Sequence, residues 1–211
     1  MADGVQAWSR RRWLGAPLAL AAAWGAPAGA ASAHALAGRV EPRLTPPRLS
    51  LAMADGAVLP LQQLLRGRVT ALQLMFTGCR ASCPIQGAQF ALLQQLLAAQ
   101  PVPRGGPSRP PGQLLSVSID ALGDDPARLR RWLQQWPAQD FWRAGVVQVR
   151  ELDAWFNFLG GRSANPQDAH TSQVYLFDAR GQLAWRSTDW PTPQGVAQTL
   201  RELQARAPSA G

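Results

Sequence analysis

The 211 residues are 46% hydrophobic and 16% charged, a balance that excludes a disordered chain and suits one compact domain with a real core. The formal net charge is +8, and every basic residue is an arginine. Past the N-terminus the arginines are scattered, with only Arg130 and Arg131 adjacent, and no basic run alternates with aromatics, so a nucleic-acid partner is not expected.

The first thirty-five residues read as an address. Ser9-Arg10-Arg11-Arg12-Trp13-Leu14 precedes an apolar, Ala-rich stretch that ends in two A-x-A sites, Ala31-Ser32-Ala33 and Ala33-His34-Ala35. A positive start, an apolar middle and a small-residue end define a secretory signal. The arginine pair ahead of Trp13 resembles a twin-arginine signal, which directs export of a folded chain. Residues 1–35 are therefore expected to be an export signal and 36–211 the working domain, with a periplasmic destination. The alternative is an uncleaved anchor, the one case in which membrane contact is expected. The stretch is barely long enough to span, and Pro17, Gly25, Pro27 and Gly29 interrupt it. Its removal takes away three arginines and Asp3, so +8 becomes +6.

Residues 39–47 are Pro-rich and expected to be extended. Leu49, Leu51 and Met53 alternate with smaller or polar residues, so 48–53 reads as a strand, and Asp55-Gly56 turns it into a hairpin with 57–59. Residues 69–76 (VTALQLMF) form an apolar run of strand length, as in a sheet covered on both faces. Cys79 and Cys83 follow. Pro84 suits a first helical turn, and Ile85, Phe90, Leu92, Leu93, Leu96 and Leu97 recur at helical spacing.

Residues 101–112 (PVPRGGPSRPPG) read as a surface insertion, and 114–119 as a second buried strand. Asp124 or Asp125 ahead of Pro126 opens a helix carrying Leu129, Trp132, Leu133 and Trp136, whose tryptophans read as packing residues. A short strand at 146–149, a short helix at 151–158 and a polar loop at 157–169 lead into a strand at 173–178. Arg180-Gly181 turns that strand back into 182–186, and Thr192-Pro193 opens a last helix ending near Arg206. Strand and helix alternate and then close with a hairpin and a helix. The expected fold is thus an α/β, thioredoxin-like three-layer sandwich, a mixed central sheet flanked by helices.

The two cysteines are the only ones, four positions apart, where the first long strand gives way to a helix. A disulfide across three residues constrains little of the unfolded chain, so reactivity or metal binding explains the pair better than stapling. On one helical turn their Cα atoms would lie roughly 6 Å apart, within disulfide reach. The helix N-terminus and Arg80 should favour thiolate, which attacks disulfides and also binds soft metals. Thioredoxin-type oxidoreductases place two residues between their cysteines. The third residue here leaves room for an ion. His34 lies at or before the cleavage site, which leaves His170 as the mature chain's imidazole, at the mouth of a strand. Two thiolates and an imidazole form a soft three-ligand set suited to Cu(I), whereas a structural zinc site normally takes four ligands.

Three segments carry a family resemblance. Phe76-Thr77, then Cys79 and Cys83-Pro84, resembles the SCO/SenC cysteine motif. Ser118-Ile119-Asp120, then Asp124-Asp125-Pro126 and Leu129, resembles that family's acidic segment. His170-Thr171-Ser172, then Val174-Tyr175-Leu176-Phe177-Asp178 and Gly181, resembles the stretch opening on its ligand histidine. The match runs from about 45 to 206 with the motifs in order. It implies that Cys79, Cys83 and His170 bind copper, expected as Cu(I), with Cu(II) left open. It implies a copper-accepting partner, a cytochrome oxidase subunit whose dicopper A centre the protein helps to mature. Asp120 and Asp124 would then support the ligands or face the docking partner. As an acid at a strand end and one at a helix start, they also read as plain caps. Arg80 stands where the family often has Pro, Ala121 and Asp125 replace its Pro and Thr, and Ala127 its usual Glu. These changes spare the ligands and bear on whether the oxidase is the partner.

Two functions compete on these residues. One is a copper-binding assembly factor without turnover. The other is a thiol–disulfide oxidoreductase in which Cys79 attacks and Cys83 resolves. A peroxide-responsive sensor would use the same thiols.

Overall fold

The computed structural model describes residues 37–100, 112–160 and 171–206, all within the compact unit Ser32–Gly211. The expected signal at 1–35, residues 101–111 of the insertion, most of the polar loop and His170 lie outside the described residues.

One eight-stranded sheet runs β1 (Gly38–Leu44), β8 (Leu183–Arg186), β7 (Val174–Phe177), β4 (Val69–Met75), β5 (Gly112–Ser118), β6 (Trp142–Val147), β2 (Ser50–Met53), β3 (Val58–Pro60). β4, β5 and β6 are parallel, and every other pair is antiparallel. The central strand β4 is buried at each of its seven positions, as expected of a strand covered on both faces.

Alternation along β4 feeds two cores. Val69, Ala71 and Met75 enter the layer of α2 (Ser82–Ala98), α3 (Pro126–Gln134) and α5 (Pro193–Ala205), where Phe90, Leu93, Leu129, Trp132 and Leu200 are buried. Leu72 and Leu74 enter the opposite layer, with Leu61 and Leu65 of α1 (Leu61–Leu65) and Trp155 of α4 (Leu152–Leu159). Helices on both faces of a mixed sheet make the three-layer α/β sandwich.

Local chemistry sets the ends of these elements. Asp125 caps α3 by accepting the N–H of Arg128 at 2.7 Å, and Thr192 caps α5 by accepting that of Gly195 at 3.2 Å; each precedes a proline at the first helical position. The β2–β3 hairpin turns at Gly56, with φ of 91°, and β7–β8 at Gly181, with φ of 80°, a backbone region glycine enters without steric cost. No described helix is long and apolar enough to cross a membrane.

Three elements differ from the sequence expectation, the first being the strand expected at 146–149, which runs earlier, over Trp142–Val147. The Pro-rich segment forms a true strand, β1, at the sheet edge against β8, where a proline is tolerated because one side of the strand has no ladder partner. Helix α1 is a single turn, too short to leave a periodicity signal. β4 and β5 end together, Met75 opposite Ser118, and β7 starts beside them with Val174 opposite Gln73. That shared end carries the cysteines.

Candidate metal centre

β4 stops at Met75, and residues 76–81 make the crossing to α2. The helix begins at Ser82, so Cys79 precedes it and Cys83 lies in its first turn; the two do not share a helical turn as the spacing suggested. The reason is Pro84. Proline has no N–H to give, so it fits where the first turn would leave that group unpaired anyway, and the helix starts just ahead of it.

Ala81, the residue at the helix cap, offers no side-chain hydrogen bond. The sulfur of Cys79 takes that place: its Sγ accepts the N–H of Cys83 at 3.4 Å and lies 3.8 Å from the Ser82 hydroxyl. The Cys79 N–H is in turn bonded to the carbonyl of Phe76 at 3.2 Å, which folds the crossing into a tight turn. Both thiols are free; Cys79 is half-buried and Cys83 buried.

Their acidities diverge. Burial would raise the Cys79 thiol, but hydrogen bonds from the Cys83 side chain, from the Cys83 and Ala81 backbone and from Ser82 outweigh it and lower the group to about 7. Cys83 goes the other way, pushed up to about 12, first by burial and then by its hydrogen bond and charge repulsion with Cys79. The first proton leaves Cys79, and the sulfur beside it resists a second negative charge.

The acidic segment braces the crossing from below. Asp124 is buried; it accepts the Thr77 N–H at 2.9 Å, the Ser118 hydroxyl at 2.6 Å and the Thr77 hydroxyl. Its carboxylate ties the crossing, two residues before Cys79, to the end of β5. Asp120 accepts the N–H of Gly123 at 2.8 Å and so closes the turn between β5 and α3. A Cβ at Gly123 would lie 2.1 Å from its Oδ2, so a side chain there would have to push this carboxylate aside.

His170 lies outside the described residues, and Thr171, next in the chain, is firmly placed. The amide of Gln86, one turn along α2 from Cys83, donates to the Thr171 carbonyl at 3.1 Å. The Thr171 hydroxyl accepts the Gln173 N–H, and Ser172 binds the Asp189 carboxylate at 2.7 Å and the Trp190 N–H at 3.2 Å. Thr77 and Ser118 stood in the resembling segments without a role of their own, and Gln86 was not singled out from the sequence. The available sign was Gln86 itself, a polar residue on the buried face of a helix.

Among the described residues, no group of three or more His, Cys, Asp or Glu side chains is placed to hold a metal ion. The two sulfurs at the α2 N-terminus are the soft donors the described residues contribute. One already tends toward thiolate, which fits a soft monovalent metal better than a hard divalent one.

Compared with models of protein families, residues 48–205 match SCO1/SenC. A search of curated proteins finds no match. Solved structures match over most of the chain. BsSco, a member of the Sco family of cytochrome c oxidase assembly proteins in which a disulfide switch was identified, shares 20% identity at a TM-score of 0.64, over 78% of this chain and 96% of that one. Bradyrhizobium japonicum ScoI with copper bound shares 16% at 0.58, over 75% and 99%. A SCO1/SenC family lipoprotein from Bacillus anthracis str. Ames shares 20% at 0.59, over 78% and 98%. At these identities the likeness establishes the thioredoxin-like fold these structures share.

Proposed function

The chain belongs to the SCO1/SenC family, and on that footing we propose that it is a copper-binding assembly factor that carries Cu(I) between Cys79, Cys83 and His170. The observation that carries this reading is the pair of free sulfurs at the start of α2, Cys79 accepting the Cys83 N–H at 3.4 Å, with one thiol lowered to about 7. A soft ion takes thiolate and imidazole donors readily. The second thiol, pushed up to about 12, would lose its proton on binding, so copper uptake would release protons and strengthen as pH rises. The Gln86–Thr171 bond supports His170 as the third ligand, since it ties the following residue to the cysteine helix.

Copper is the cargo here, and the acceptor is a cytochrome oxidase subunit with a dicopper centre. BsSco belongs to an oxidase-assembly family and ScoI of Bradyrhizobium japonicum was solved with copper, which supports both assignments. We place the work outside the cytoplasm, with residues 1–35 as the export signal and 36–211 as the domain; a lipoprotein among the structural relatives fits an exported chain. Asp124 holds the cysteine crossing, and Asp120 shapes the neighbouring turn.

A second reading follows from the unequal thiols. Cys79, half-exposed and lowered to about 7, is built to attack, and Cys83, buried beside it, to resolve. The Cys79 thiolate would attack one sulfur of a partner's disulfide and release the other as thiolate. Cys83 would then displace the mixed disulfide, leaving the partner reduced and Cys79–Cys83 oxidised, to be restored by an external dithiol. His170→Ala separates the readings. It abolishes tight Cu(I) binding if copper transport is the function, whereas insulin-disulfide reduction by the same variant stays near the parent's rate if thiol exchange is. Parental Cu(I) affinity in His170→Ala would remove His170 from the ligand set.

A further inference from the structure

We propose that the end of the sheet around Cys79 is a docking surface for the copper-accepting protein, a partner with an apolar face edged by acidic residues, and that Leu122, Ile85 and Trp190 anchor it. The inference rests on the copper reading above. In a hand-over by ligand exchange, each bond from this chain to the ion is replaced by one from an acceptor ligand. The copper stays Cu(I), and the proton that an acceptor thiol gives up returns to a thiol here. An acceptor ligand must therefore reach an ion at Cys79, whose side chain is half-buried and open on one side, and the surroundings of that thiol are covered while it does.

Single hydrophobic side chains on a surface are ordinary, and placement is what distinguishes these. Among the described residues six large ones are exposed, and three of the six stand on segments bonded to the cysteine crossing or to the start of α2. Leu122, 89% exposed, tips the turn between β5 and α3. That turn is fixed beside the crossing. The Ile119 N–H bonds the Met75 carbonyl at 3.0 Å, Asp120 accepts the Gly123 and Asp124 N–H groups at 2.8 and 2.9 Å, and Asp124 holds Thr77. Ile85, 53% exposed, lies in the first turn of α2, two residues past Cys83. Trp190, 45% exposed, has φ of 50°, a strained backbone for a bulky residue, and its N–H is held by the Ser172 hydroxyl at 3.2 Å. Ser172 follows Thr171, whose carbonyl accepts the amide of Gln86, the neighbour of Ile85, at 3.1 Å. Apolar side chains on a fixed backbone lose little freedom when covered, which suits them to anchor an interface. Beside them the exposed Arg80 pairs with no acid among the described residues, and the chain carries +8, so the complementary face is acidic at its edge.

The test follows Cu(I) from the loaded full chain to the metal-free copper-binding domain of a cytochrome oxidase subunit, as a transfer rate over a series of acceptor concentrations at low and high salt. Leu122→Ser, Ile85→Ser and Trp190→Asn, the last chosen because asparagine tolerates a left-handed backbone, are compared with Val58→Ser. Val58 is 59% exposed but lies on β3, at the far edge of the sheet. Cu(I) affinity against a chromophoric chelator and thermal unfolding are recorded for each protein. The three variants around Cys79 should each raise the half-saturating acceptor concentration by about tenfold without loss of copper affinity or stability. Val58→Ser should leave it unchanged, and added salt should slow transfer from the parent. Parental half-saturation in those three variants, or an equal loss in Val58→Ser, would overturn the docking surface, and transfer indifferent to salt would overturn the acidic edge. A parent that binds Cu(I) tightly but gives none to the domain would overturn the inference while leaving copper binding standing. A parent that binds no Cu(I) would overturn the copper reading and this inference with it.

Discussion

The buried carboxylate of Asp124 grips Thr77 twice, through the backbone N–H at 2.9 Å and through the hydroxyl, and so holds the crossing that presents Cys79. The Ser118 hydroxyl adds a third bond at 2.6 Å, which makes this carboxylate the joint between the ends of β4 and β5.

Asp124→Ala leaves the Thr77 N–H and two hydroxyls without their acceptor. Hydrogen bonds to charged groups are worth roughly 1.5–3 kcal/mol, and a loss of at least that size is expected in urea unfolding, seen as a lower midpoint at unchanged slope. Copper affinity should fall as well, since the crossing loosens two residues before a ligand. An unchanged midpoint would mean that the crossing is held by other contacts.

The two thiols should react at different pH. Cys79, lowered to about 7 and half-exposed, should be alkylated by iodoacetamide at a rate that rises through neutrality and levels off above about pH 8. Cys83, pushed up to about 12 and buried, should stay unmodified in the folded chain over the same range. Peptide mass spectrometry after timed labelling separates the two sites. Equal labelling of both at pH 7 would contradict the assignment of attacking and resolving roles.

Gly87 is expected to tolerate no side chain. A Cβ there would lie 2.4 Å from the ring of Trp136, and that ring is part-buried against the same core. Gly87→Ala should cost roughly 1–3 kcal/mol, as overpacked cores do, with most of the loss relieved in a Trp136→Leu background. Additive effects of the two changes in denaturant unfolding would show that the close approach does not set the cost.

Much of this architecture was legible in the residues. The apolar run at 69–76 marks β4, Asp55-Gly56 and Arg180-Gly181 mark both turns, and Asp125-Pro126 and Thr192-Pro193 mark helix starts; each is dictated by local chemistry. The two cysteines and the segments 118–126 and 171–181 were singled out before their neighbours in space were known. Tertiary partners were the part local pattern cannot carry. Pro42 hid β1, because proline argues against a strand until the strand proves to lie at an edge. The i,i+4 spacing placed Cys79 on the helix, whereas Pro84 starts the helix three residues later and turns Cys79 into its sulfur cap. Asp124 read equally well as a helix cap or a docking acid, and only the fold reveals Thr77 and Ser118 around it. Gln86 was passed over because its partner is 85 residues away.

The measurement that bears most directly on the copper reading is a Cu(I) titration of the reduced chain against a chromophoric chelator, run beside Cys83→Ser and His170→Ala. One equivalent held tightly by the parent and lost in both variants is the predicted result. A folded, reduced parent that cannot take copper from the chelator would contradict the account and leave the Cys79–Cys83 pair to thiol–disulfide exchange.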